Sequence, residues 1–237
     1  MAAFFAGAMN SIAGGGSFLS FPALVLAGVP PIPANATNSA AMWVGVLGGA
    51  RAYWGDVRPH KRMLYTMFGI SVVGAILGAS LLLLTPPEAF NRLIPWLLLF
   101  ATVVFAVSPW LAKPHGGIPK HASWQYVVQF LIAIYGGYFT AGIGILMLAI
   151  LAFSGLPNFN ATNGMKNVLS VAINGFSLVP FLIARIIDWR YAIPMAVIAL
   201  LGGFVGAHVF RRVPPAYGRA TVIAIGTVMT LVFFLRG

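Results

Sequence analysis

The sequence predicts an all-α polytopic membrane protein of about eight helical segments in two homologous halves, arranged as inverted repeats with broken or re-entrant helices. Three observations predict it. Of 237 residues, 60% are hydrophobic and only 7% are charged, against about 25% charged in a soluble domain. Long apolar runs follow one another, and a bilayer span needs about 20 such residues. The same landmarks also occur twice, in the same order.

The apolar runs lie at 3–27, 36–54, 63–84, 93–111, 124–154, 162–184, 191–210 and 219–235. Short basic or Pro-rich connections separate them. One carries Arg58, His60, Lys61 and Arg62, and another is KPHGGIPKH at 113–121. The expected division is a first half at 1–112, a cytoplasmic linker at 113–123 and a second half at 124–237, all within one membrane domain. The first residues lack a basic n-region and a cleavage site, so no removable signal peptide is expected. Cysteine is absent, which excludes disulfides, thiol catalysis and Cys-based zinc sites.

The repeat rests on five landmarks. Asn35-Ala36-Thr37-Asn38 matches Asn160-Ala161-Thr162-Asn163. A Gly-rich break precedes each, AGGGS at 13–17 and AGIGI at 141–145. Asp56/Arg58 matches Asp188/Arg190, GAILGA at 74–79 matches GGFVGA at 202–207, and Pro86-Pro87 matches Pro214-Pro215. Gly-x-x-x-Gly lets helix backbones approach closely in lipid. Gly-interrupted segments paired between two halves point to a transporter's binding site.

Eight complete spans would make the halves parallel, whereas one re-entrant element per half would invert them. Both arrangements divide the loop cations nine against four when Lys166 is left out, so the positive-inside bias does not choose between them. Both place 51–62 and 113–121 in the cytoplasm. The uncharged breaks at AGGGS and VPPIPA suit re-entrant segments, and inversion is therefore expected. Irregular backbone at that depth must be buried in protein or line a wet cavity.

Fourteen Lys and Arg face three acids, Asp56, Glu88 and Asp188. No basic patch interleaved with aromatics appears, so nucleic acid is not an expected partner. The balance fits positive-inside loops on anionic lipid, with some long-range attraction for an anionic substrate. No acid lies mid-span, which argues against a carboxylate proton relay but leaves sodium held by backbone carbonyls open.

The repeated motif opens each apolar run, where Asn and Thr act as N-caps. A helix N-terminus at membrane depth is an anion site, and two would make a pseudo-symmetric pair. Thr37, Asn38, Ser39, Thr162 and Asn163 are therefore candidate substrate-binding residues. Gly15, Gly16, Gly142 and Gly144 would let backbone approach the ligand. Lys166, one turn past Asn163, is the single cation inside a span, and Asn167 and Asn174 continue its helix. An ionisable group there is a functional candidate by default. Asn10 is the strongly polar side chain before the first break. No nucleophile–base set, metal-ligand cluster or carboxylate pair suggests an enzyme, and no cofactor or metal is expected.

Gly14–Ser17, Pro22, Gly28–Pro31 and Ala36–Ser39, followed by Gly155–Pro157, Ala161–Asn163, Lys166, Asn167, Asp188 and Trp189, resemble the sulfite exporter TauE/SafE family of bacterial permeases. The resemblance covers nearly the whole chain. The segment before the first Gly break is short for the family, and the second break reads Gly-Ile-Gly. The family implies an inner-membrane secondary transporter, an exporter of sulfite, sulfoacetate or other organosulfonates. A carboxylate carrier or an anion channel is the alternative. The expected partners are a small anionic substrate, the bilayer and a coupling ion, proton or sodium. Direction of transport and oligomeric state stay open.

Overall fold

The structure, a computed structural model, describes residues 1–12, 15–111, 123–209 and 215–236. Residues 113–122 of the expected linker, Gly14, Arg211, Arg212 and Pro214 lie outside the described residues, and Ser123 already belongs to a helix. The described residues form α-helices and no strand. Helix α1 is Ala2–Ile12 and α2 is Ser17–Leu26. Helix α3, Pro31–Ala52, is followed by a short α4, Trp54–Val57, and a 3-10 turn, Arg58–His60. Next come α5, Lys61–Leu84, and α6, Pro87–Leu111. The second half holds α7, Ser123–Tyr138, α8, Ile143–Leu151, α9, Phe159–Ile183, α10, Trp189–Val209, and α11, Pro215–Arg236.

Three segments are long and apolar enough to cross a membrane by length and composition: Trp54–Leu84, Pro87–Val107 and Phe159–Ile183. Helix α3 has 22 residues and reaches about 33 Å at 1.5 Å per residue, which is also a bilayer thickness. The apolar runs 3–27 and 124–154 are each split at their glycines. Gly142 adopts φ +86° there, a left-handed conformation that side-chain-bearing residues rarely take.

Helices α3 and α9 cross at the centre and run in opposite directions. Thr37 Oγ1 accepts a 2.9 Å bond from Asp188 N, just past the end of α9. Trp43 Nε1 donates to Val171 O at 3.2 Å. Asn167 packs against Gly49, and Gly164 lies against Tyr53 and Val57. The two matched helices therefore start on opposite faces of the bundle. We call these the Gly28 face, where α3 starts, and the Arg58 face, where it ends.

The second break makes a hairpin that enters and leaves on one face. Helix α7 lies parallel to α5, with Gln129 Nε2 bonded to Ser71 Oγ at 2.9 Å and Tyr138 Oη bonded to Thr85 Oγ1 at 3.2 Å. Helix α8 then returns, and Gln125 Nε2 near the start of α7 donates to Phe153 O just past its end, at 2.7 Å. Helices α1 and α2 fold back in the matching way. A Cβ at Gly16 would lie 2.1 Å from Ala6 O, and α2 ends beside Ala27 and Gly28.

The halves interlock. Helix α7 packs on α5 of the other half, and α1 packs on α10. Both joints are backbone to backbone: a Cβ at Gly78 would lie 2.0 Å from Ile134 O, and one at Gly202 would lie 2.0 Å from Phe4 O. Helices α6 and α11 also pair, antiparallel, with Trp96 edge-on to Phe234 and Thr102 against Gly226. An aromatic and aliphatic core, including Phe18, Phe21, Phe90, Phe139 and Phe181, fills the Gly28 side of the bundle.

One expectation is corrected here. Helix α3 begins at Pro31, not at the repeated motif, because proline fits the first helical position with its fixed φ and missing N–H. Asn35–Asn38 thus occupy its second turn. In α9 the N-cap is Asn158, whose Oδ1 accepts from Ala161 N at 2.9 Å. Neither motif caps its helix, and the two helix starts sit at opposite faces.

Two outcomes follow. In a chain without cysteine, Arg58→Cys and Arg185→Cys should react with an impermeant thiol reagent from opposite sides of the membrane; reaction from one side would contradict the fold. Gly78→Ala should lower the unfolding temperature in detergent by the equivalent of about 1–3 kcal/mol, because the α5–α7 joint has no room for a methyl group.

Candidate substrate site

Both hairpin breaks, α3 and α9 converge on a small central cavity of about 20 Å³. That is room for about one water. Helix α9 supplies Lys166, Asn167, Ser170 and Asn174, one polar face at helical spacing. The first hairpin supplies Asn10 and Ser17, the second supplies Thr140, Ile143 and Gly144, and α3 supplies Met42 and Val46.

Ser17 and Ile143 are the first residues of α2 and α8. Each short helix therefore aims its N-terminus at the cavity. The N–H groups of Phe18, Leu19 and Ile145 bond Gly15 O, Gly16 O and Gly142 O, which leaves the very first N–H groups of each helix for a ligand, and the dipole makes that end positive. Helices of 10 and 9 residues thus bring one electropositive end from each half to the middle of the bundle. The paired ends expected at the Asn-Ala-Thr-Asn motifs belong instead to the returning arms of the hairpins.

Lys166 is 3% exposed. The ion pair found among the described residues is Arg190 Nε to Asp188 Oδ1, 3.3 Å, on the Gly28 face. Lys166 has amides, hydroxyls and two helix ends for company, and no carboxylate lines its cavity. Asn174 Oδ1 is also buried without a hydrogen-bond partner. Both groups face a space that a polar ligand would complete.

Of the residues singled out from the sequence, Asn10, Gly144, Lys166, Asn167 and Asn174 line this cavity. Gly142 sits at the turn behind it, against Ala101 and Phe18, and Gly16 packs on Ala6, with Gly15 in the same turn. Thr37, Asn38 and Ser39 lie toward the Gly28 face. Thr162 and Asn163 lie toward the Arg58 face, where Thr162 Oγ1 donates to Asn158 O within its own helix. The structure does not bring the two motifs together. About 17 residues of α3 separate their levels, or about 25 Å at 1.5 Å per residue. Ser17, Thr140 and Ser170 escaped the sequence reading, since isolated hydroxyls in apolar runs carry no spacing signal. For Ser170 the signal existed: it lies four residues from both Lys166 and Asn174.

The first motif instead closes the Gly28 side. Asn35 Nδ2 donates to Tyr138 O at 3.1 Å, and Asn35 Oδ1 accepts from Thr140 N at 3.4 Å. Ser39 and Thr140 share a hydrogen bond between their hydroxyls. Ser20 Oγ donates to Asn38 Oδ1 at 2.5 Å. On the other side the cavity adjoins a vestibule of about 380 Å³ lined by Gly45, Gly48 and Gly49 of α3 and Tyr53 just past its end, with Ala199, Gly203 and Phe204 of α10. Asn10, Met42, Val46 and Asn167 belong to both spaces.

A polar cavity at the crossing of two opposed broken hairpins, closed on one side and bordered by a vestibule on the other, is the build of a multi-pass membrane transporter. The family model for the sulfite exporter TauE/SafE matches residues 1–233, and the chain belongs to that family. It is 27% identical to a probable membrane transporter protein, ORF9, of Sinorhizobium sp, over 100% of this chain and 89% of the relative. A probable membrane transporter protein of Haemophilus influenzae is 25% identical, over 96% and 89%. The probable membrane transporter protein YfcA of Escherichia coli is 26% identical, over 96% and 85%. No solved structure matches the chain.

The vestibule has its own test. A Cβ at Gly48 would meet nothing within 4 Å, so Gly48→Leu should fold with a stability change below about 0.5 kcal/mol. It should nonetheless cut transport several-fold by filling the passage. Unchanged flux in proteoliposomes would remove the vestibule from the path.

Proposed function

We propose that the protein is a secondary transporter of small sulfur-containing anions, sulfite or organosulfonates such as sulfoacetate, working by alternating access between two inverted halves. The observation that carries this reading is Lys166: a buried cation without a carboxylate, among amides and hydroxyls, facing the N-termini of α2 and α8. A sulfite or sulfonate group presents three acceptor oxygens. The lysine, the first N–H groups of α2 and α8 at Ser17, Ile143 and Gly144, and the hydroxyls of Ser17, Thr140 and Ser170 supply donors in kind. Membership of the sulfite exporter family supports the choice of sulfur oxyanion over carboxylate. Closure of the Gly28 side favours a carrier over a channel, because an open pore needs continuous room for the ion.

The Arg58 face is assigned to the cytoplasm of a bacterial inner membrane. It carries Arg51, Arg58, Lys61 and Arg62, whereas Arg92, Arg185 and Arg190 lie toward the other face. Cytoplasmic loops attract such an excess. The structure then has its path open from inside, the state in which an exporter loads. A coupling ion, proton or sodium, would bind elsewhere than at a buried carboxylate.

Lys166→Gln, reconstituted in proteoliposomes, should lower uptake of labelled sulfite or sulfoacetate by about 10–100-fold, the loss of a charge-assisted hydrogen bond. Lys166→Arg should keep part of the activity, since charge survives but geometry changes. Native rate and affinity in Lys166→Gln would refute the anion site.

A further inference from the structure

The two copies of the Asn-Ala-Thr-Asn motif are alike in sequence but unlike in bonding. In the first copy, Asn35, Thr37 and Asn38 all bond to other elements. Asn35 takes both the C=O at the end of α7 and an N–H beyond the break. In the second copy, Asn160 is exposed and no bond joins it to another element, while Thr162 bonds only within α9. The side with the bonded copy is closed, and the side with the free copy borders the vestibule.

A chain that needs a motif once has no use for an exposed carboxamide at the matched place. A carrier that must close each side in turn needs it twice. We propose that Asn160 is the clamp of the opposite state: when the cavity opens to the Gly28 face, its carboxamide takes the backbone polar groups at residues 10–12, as Asn35 now takes those at 138–140. The match is positional. Gly-rich breaks at 13–17 and 141–145 are offset by 128, which carries Tyr138 and Thr140 onto Asn10 and Ile12. Asn10 already lies at the junction of cavity and vestibule. Closing the Arg58 side would bring the end of α1 to α9, expel water from the vestibule and leave Asn35 free. Each asparagine is thus a positioning residue that touches no substrate and biases which face is open.

The inference rests on the carrier reading but not on its substrate, and the test uses no anion. Ser170→Cys places a single thiol in the cavity of a chain that has no cysteine. An impermeant thiol reagent is added to one face of oriented vesicles at a time, and labelling rates are compared. Asn160→Ala in this background should slow labelling from the Gly28 face by about five-fold, the population shift for one net hydrogen bond. Labelling from the Arg58 face should hold or rise. Asn35→Ala should do the reverse. Because Asn160 is exposed and makes no bond to another element here, its loss should leave the unfolding temperature unchanged. Equal labelling of Asn160→Ala and its parent from both faces would overturn the proposal, and so would a cavity that never labels from the Gly28 face. A failed Lys166 test with these shifts intact would change the substrate and leave the clamp.

Discussion

A bilayer offers no water to an unpaired peptide group, and this chain interrupts its helices twice at membrane depth. Each interruption frees N–H and C=O groups at a cost of several kcal/mol apiece if left bare. Much of the architecture answers that demand. Asn35 bonds the backbone at 138 and 140, and Tyr135 Oη donates to Ala141 O at 2.9 Å. Aromatic rings, Phe139 and Phe18 among them, seal the turns from lipid. At the starts of α2 and α8 the freed N–H groups face the cavity, where a ligand can use them.

The same constraint explains the glycines. Holding a hairpin inside a bundle requires its first arm to lie almost on the backbone of a neighbour. Gly78 against Ile134 and Gly202 against Phe4 achieve this in the two halves. These close joints are rigid. The α3–α10 side is different, since Gly45 and Gly48 face open space. The bundle therefore combines tight seams with one loose one, and the loose one borders the vestibule.

Much of this was legible in the sequence. Apolar runs too long for single helices, broken at glycines without a charge nearby, pointed to hairpins, and the opposed course of α3 and α9 agrees with that reading. Lys166 was legible because a cation in a span stands out against its surroundings. The repeated motif was legible as a repeat but not as a placement. A capping pattern describes a helix start, and it does not say which face of the bundle that start occupies. Pro31 also moved the start of α3 four residues ahead of Asn35, so a motif read as a cap became a second-turn contact. The hydroxyls of Ser17 and Thr140 acquire meaning only when two breaks distant in sequence are folded against each other.

The interlocking of the halves has a consequence for biosynthesis. Helix α1 is made long before its partner backbone at Ala199 and Gly202. Until then the surface around Gly7 has no permanent neighbour, and Asn10 has no cavity to face. Helix α10 must be made before α1 can settle against it. Contacts so far apart in sequence form slowly. An early intermediate with a short helix in hydrocarbon, carrying a buried amide, is a natural client for the insertion machinery.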